Sequence, residues 1–143
     1  MKIATDFILN GKTVKDNDTY ILTDNSYLKR SVVSSTLLHP KQATRGHEHV
    51  GQEEVYIFIQ GSGFMYLDEH QFPVKEGDVV AVDDGTFHRV TNHTDEPLYF
   101  ICVFDVCKGE HGCHLSSNRN TQQHFKKFAT LSTVNTQYSN NFR

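Results

Sequence analysis

The chain has 143 residues, 37% of them hydrophobic, and a formal net charge of −3. That length suits one domain with a sizeable buried core, and a nearly balanced charge without a basic stripe excludes nucleic acid as the expected partner. Apolar runs stay far short of a membrane span, and Asp6 interrupts any signal-peptide core in "MKIATDFILNGK", so a soluble cytoplasmic protein is expected.

Short apolar or alternating runs separated by turn residues predict antiparallel strands in a small double-sheet β fold. "KIATDFIL" reads as a strand ending at Asn10-Gly11, and "TYIL" around Tyr20 as the next, followed by a polar loop, Thr23-Asp24-Asn25-Ser26. "RSVVSSTLL" from Arg30 to Leu38 is a strand stopped by His39-Pro40. "EVYIFIQ", "FMYL" and "QFPV" follow, the last two as a hairpin turning at Asp68-Glu69. "DVVAV" stops at Asp83-Asp84-Gly85, and "FHRVTN" and "LYFICVF" flank the turn Asp95-Glu96-Pro97.

Three cysteines without an export signal argue against a disulfide framework. Cys102, inside an apolar strand, reads as a buried, inert thiol. Cys107, His111, Cys113 and His114 are spaced more widely than a usual zinc site and read as a segment after the last strand. The barrel domain is placed at residues 1–110 and a polar extension at 111–143. In that extension Phe125, Phe128 and Leu131 allow a short docking helix, and partial disorder is the competing reading.

The stretch "RGHEHVGQEEVYIFIQG" carries the densest ligand chemistry. His47 and His49 are one residue apart, so on an extended backbone both imidazoles point to one face. Glu54 shares a face with Tyr56 and Phe58, while Val55, Ile57 and Ile59 point the other way, as on a strand buried on both sides. A carboxylate on such a strand is costly unless paired or bound to a cation. His88, after a glycine-bearing turn, is a fourth candidate ligand. Three imidazoles and a carboxylate suit a first-row divalent ion with positions left for a ligand.

These residues resemble the two motifs of the cupin superfamily. The first, H-x-H, three or four residues, E, six residues, G, matches His47, His49, Glu54 and Gly61. The second, G, five residues, P-x-G, two residues, H, three residues, N, matches Gly77, Gly85, His88 and Asn92, with Asp83 in place of proline. Lys41 stands where the first motif normally opens with glycine. The similarity covers approximately residues 30 to 105. It implies an all-β double-stranded β-helix, or jelly-roll barrel, binding one divalent metal (Mn, Fe, Ni, Co or Zn) through His47, His49, Glu54 and His88. Glu53 is the rival carboxylate, disfavoured by its distance to Gly61 and by its facing away from Tyr56 and Phe58. Gly85 and Asn92 are implied to shape the turns that present His88.

A cupin barrel hosts many chemistries. The expected activity is metal-assisted isomerisation or epimerisation of a small hydroxy-carbonyl compound or sugar phosphate, the ion serving as Lewis acid and template. An iron-dependent dioxygenase and a non-catalytic small-molecule binder or sensor are the alternatives. Tyr56, Phe58, Tyr66 and Phe100 are candidates for the pocket wall. Arg45 and Lys41 are candidates to hold a phosphate, and Arg89 is a weaker one because it points away from His88's face. His70 and Glu69 read as solvated turn residues. The resemblance also implies a homodimer, with "KIATDFIL" as the expected exchanged strand.

Overall fold

The structure, a computed structural model, describes residues 1–106. The cysteine and histidine cluster from Cys107 to His114 and the expected docking helix lie outside the described residues. Eleven strands follow in order: β1 (Ala4–Thr5), β2 (Ile8–Leu9), β3 (Lys12–Asp16), β4 (Tyr20–Asn25), β5 (Ser31–Leu38), β6 (Glu54–Gln60), β7 (Ser62–Leu67), β8 (His70–Lys75), β9 (Val79–Val82), β10 (His88–Thr91) and β11 (Leu98–Asp105). They form a six-stranded sheet β3-β4-β5-β11-β6-β9, a three-stranded sheet β10-β7-β8 and the small pair β1-β2. Every pairing is antiparallel. The described chain is thus all-β, as its turn-punctuated sequence predicts.

The core lies between the two larger sheets. Leu38, Phe58, Leu98 and Phe100 from the large sheet meet Met65 and Val90 from the small one, each 2% exposed or less. Full burial of such side chains contributes about 1.5–3 kcal/mol each. Period-two alternation places Glu54, Tyr56 and Phe58 inward on β6. The outward face of that strand is more open than its apolar sequence suggests: Val55 is exposed and Ile57 and Ile59 are only half-buried. The expectation of a strand buried on both sides is therefore corrected to one buried face and one partly covered face.

Three further differences have local causes. "KIATDFIL" is not one strand but a hairpin, with Ala4 opposite Leu9 and Thr5 opposite Ile8. Its turn places Asp6 and Phe7 at φ of 51° and 62°, the positive values of a tight I′ turn. β3, "KTVKD", is exposed along its whole length and lacks the apolar alternation that would have revealed it. β4 runs through Asn25, so Thr23, Asp24 and Asn25 belong to a strand rather than to the expected loop. Pro73 is tolerated within β8 because that strand is the outer member of its sheet.

Candidate metal centre

Residues 42–49 lie antiparallel along β10. Thr44 N donates to Val90 O at 2.9 Å, and His47 and His88 exchange backbone bonds of 3.1 and 2.8 Å. Bridges join Ala43 to Thr91 and His47 to His88, so four residue steps on one side face three on the other. The extra residue makes a bulge, which re-aims the side chains that follow it. Gly46 absorbs it at φ 73°, and a Cβ there would lie 2.6 Å from the Phe87 ring. Beyond the histidines, His49 O accepts Gly85 N at 2.7 Å and Asp84 Oδ1 accepts Gly51 N at 2.6 Å. The two motif loops are stitched together at both ends of the histidine pair.

Asn92 fixes the far end of β10. Its buried amide donates to Leu38 O, His39 O and Glu96 O at 3.3, 3.1 and 2.7 Å, and its Oδ1 accepts Thr94 N at 3.0 Å. Lys41, at the glycine position of the first motif, has φ 62°, the left-handed conformation that glycine adopts without strain. Its ammonium donates to His93 O at 2.8 Å and pairs with Asp95 at 3.4 Å.

His47, His49, Glu54 and His88 converge, with one candidate ligand atom from each lying within 4.8 Å of all the others. His88 Nε2 is 3.0 Å from Glu54 Oε2, and His49 Nε2 is 3.6 Å from Glu54 Oε1. The His47 ring lies 4.5 Å from that of His49 and 4.3 Å from that of His88, centre to centre. Glu53, by contrast, is exposed on the opposite face of the chain.

Protonation suits a cation. Burial, then the neighbouring His88 and His49, lower His47 to a pKa of about 4 against the opposing pull of Glu54. Burial also lowers His49, and the pull of Glu54 does not restore it. Burial pushes the Glu54 carboxyl up, but the bond and charge of His88, with His49 and His47, outweigh it and leave Glu54 below its ordinary value. The centre therefore holds neutral imidazoles on His47 and His49 beside an ionised carboxylate at neutral pH, the forms that bind metal. His88 Nδ1 lies 2.9 Å from the Thr86 carbonyl, which can only accept, so Nδ1 carries the proton. Glu54 Oε2 and His88 Nε2 are both buried and neither is satisfied by a hydrogen bond of good geometry. A proton on Nε2 or a bound cation satisfies this pair, and three imidazoles with one carboxylate fit a first-row divalent ion.

A cavity of about 230 Å³ opens onto His47, His49 and Glu54, whereas His88, 1% exposed, is sealed behind them. Of the residues expected in the wall, Tyr56, Phe100 and Arg45 line this cavity. Phe58 does not: it lies deeper, in the core. Tyr66 is corrected as well, because it pairs with Arg89 on β10 and alternates with the buried Met65, away from the interior. Among the basic candidates, Lys41 is engaged by Asp95 and Arg89 Nε donates to Thr44 O at 3.0 Å. Cys102 is buried, and burial first, then Glu54, pushes its thiol up. Burial and the adjacent Cys102 and Glu54 likewise raise Tyr56, keeping its phenol neutral. Asp24, Ser34 and Thr36 line the cavity too. The sequence held a signal for the last two, a polar run in the middle of the central strand β5.

The profile of the family described as "Cupin domain" matches residues 35–104. The chain is 32% identical over 66 residues to an oxalate-binding protein of Thermotoga maritima, covering 46% of this chain and 54% of that protein. It is also 32% identical over 89 residues to the glucose-6-phosphate isomerase of Pyrococcus horikoshii, covering 53% of this chain and 47% of the other. This chain spans about half the length of the curated relatives it matches. Among solved structures, a sugar phosphate isomerase of the cupin superfamily from Silicibacter pomeroyi superposes with a TM-score of 0.57 at 24% identity, covering 62% of this chain and 60% of that one. The motifs, the two-sheet barrel and the profile match agree, and the barrel domain of this chain belongs to the cupin superfamily.

Proposed function

We propose that this chain is a metal-dependent cupin that isomerises or epimerises a small hydroxy-carbonyl compound of the sugar-phosphate type. The observation that carries the reading is the placement of His47, His49 and Glu54 in the wall of one cavity together with Arg45. His47, His49, Glu54 and His88 would hold a first-row divalent ion, which when bound supplies Lewis acidity toward a ligand carbonyl. Arg45, exposed at the cavity wall, offers a planar guanidinium suited to the oxygens of a phosphate. Phe100 and Phe104 give the ligand an apolar wall and exclude water from one side. The names of two relatives support this class: the Pyrococcus horikoshii protein is a glucose-6-phosphate isomerase and the Thermotoga maritima one binds oxalate, both ligands being small and rich in oxygen.

The test is elemental analysis of protein purified without added metal, followed by NMR assays of aldose–ketose and epimer interconversion over a panel of sugar phosphates. The expected result is a stoichiometric first-row metal and turnover of at least one compound, with both lost in a folded His49→Ala variant. Protein without bound metal, or turnover that survives His49→Ala, would overturn the reading. Iron accompanied by substrate-dependent O₂ uptake would select a dioxygenase instead.

A further inference from the structure

The inward face of β4 and β5 carries chemistry that a barrel core does not need. Strand register aligns Asp24 with Ser34, Ser34 with Cys102, and Cys102 with Tyr56 in one row across the sheet. The next row aligns Leu22, Thr36, Phe100 and Phe58. Because side chains alternate along a strand, all of these point into the barrel. Asp24, Ser34 and Thr36 therefore make one polar section of the cavity wall, while Tyr56 and Phe100 make an apolar one.

Ser34, 4% exposed, donates its hydroxyl to Asp24 Oδ1 at 2.7 Å. No described Lys, Arg or His pairs with Asp24, and its Oδ2 has no donor among the described residues. Asp24 is half-buried and lines the cavity, so a ligand there can reach its second oxygen. A purely structural role for Ser34 would be met by alanine or valine. The arrangement instead orients one carboxylate oxygen and leaves the other available.

We propose that Asp24, positioned by Ser34, determines specificity: it accepts hydrogen bonds from hydroxyl groups of a polyhydroxylated ligand whose other end sits at His47, His49 and Glu54. An ionised carboxylate is an acceptor only, so it favours a ligand that brings donors. The same negative charge disfavours a small dicarboxylate, which brings no donor and adds like charge. Asp24 and the histidines line the same cavity of about 230 Å³, so one bound molecule can meet both. This rests on the reading of the cavity as a site for small oxygenated compounds and narrows their class.

The experiment is titration calorimetry on the protein as purified, with erythronate (a trihydroxy acid) and oxalate as probes. Wild type is expected to bind erythronate more tightly than oxalate. Asp24→Asn, which keeps an acceptor for Ser34, is expected to weaken erythronate about tenfold and strengthen oxalate about tenfold, the scale of one charge-assisted hydrogen bond. Ser34→Ala keeps the charge and loses the orientation, so it is expected to weaken erythronate while oxalate stays excluded. Equal shifts of both probes in Asp24→Asn, or no shift, would overturn the proposal, as would failure of wild type to bind either probe. Should Asp24→Asn not fold, unchanged erythronate binding in Ser34→Ala would overturn it alone. Selectivity that follows Asp24 in a protein without isomerase activity would remove the isomerase reading and leave this one standing.

Discussion

His47 sits at the crossing of two neighbouring imidazoles and a buried wall, and those surroundings set its proton affinity. Its pKa falls from 6.5 to about 4 on folding, so in metal-free protein the unfolded chain takes up the proton first as pH drops. The stability contributed by a neutral His47 is complete above pH 6.5 and is lost progressively down to about pH 4. The shift corresponds to something on the order of 3 kcal/mol. Urea unfolding of chelator-treated protein across this range should show the decline, and His47→Gln should flatten it. A midpoint that is pH-independent in the metal-free wild type would contradict this assignment. That His47 and His49 share a face was legible from spacing, since H-x-H on an extended chain points both imidazoles the same way, and the cluster with Glu54 and His88 is present in the structure. The tautomer of His88 was not, because it is set by the Thr86 carbonyl, whose direction depends on the loop between β9 and β10.

At the scale of elements, the bulge opposite β10 explains how His47 and His49 reach the cavity although the chain there forms only isolated bridges. Gly46→Ala would combine a left-handed φ of 73° with a Cβ 2.6 Å from Phe87. It should cost about 1–2 kcal/mol and loosen metal binding, measured by denaturant unfolding and by competition with a chelator. Retention of both would show that the bulge does not hold the histidines. The N-terminal hairpin offers the opposite case. Phe7 is 60% exposed at φ 62°, so Phe7→Gly gives up little packing and removes left-handed strain, and should raise stability by about 1 kcal/mol. An unchanged or lowered unfolding midpoint would refute it. Why the sequence misled here is clear: apolar alternation in "KIATDFIL" marks strand residues but does not reveal a turn made without glycine. β4 misled in the converse way, its Thr-Asp-Asn end resembling a loop because those side chains are polar, although Asp24 faces the cavity and not solvent.

For the whole molecule, the candidate metal centre draws on a loop, the first residue of β6 and the first residue of β10, so it links the two sheets. An ion bound only by the folded state stabilises it by mass action. With free metal a hundredfold above its dissociation constant the gain is about 2.7 kcal/mol, on the order of 10 °C in melting temperature for a domain of this size. Differential scanning fluorimetry with and without a chelator should show that drop in the wild type and none in His88→Ala. Equal melting temperatures for chelated and metal-loaded wild type would argue against a centre that spans the sheets. Among the described residues no helix is long and apolar enough to cross a membrane.

The sequence by itself determined the strand-rich class, both motifs and the shared face of His47 and His49, while the resemblance added Glu54 and His88 to the set. Each of these rests on local spacing: period two along a strand, glycine at turns, and histidines one residue apart. Only the tertiary structure decided which aromatic residues face the cavity, which basic residue stays available beside it, and that Asp24 and Ser34 share its wall. Those facts depend on cross-strand register and on strand order β4-β5-β11-β6. A shift of one residue in register would turn every side chain of a strand to the other face.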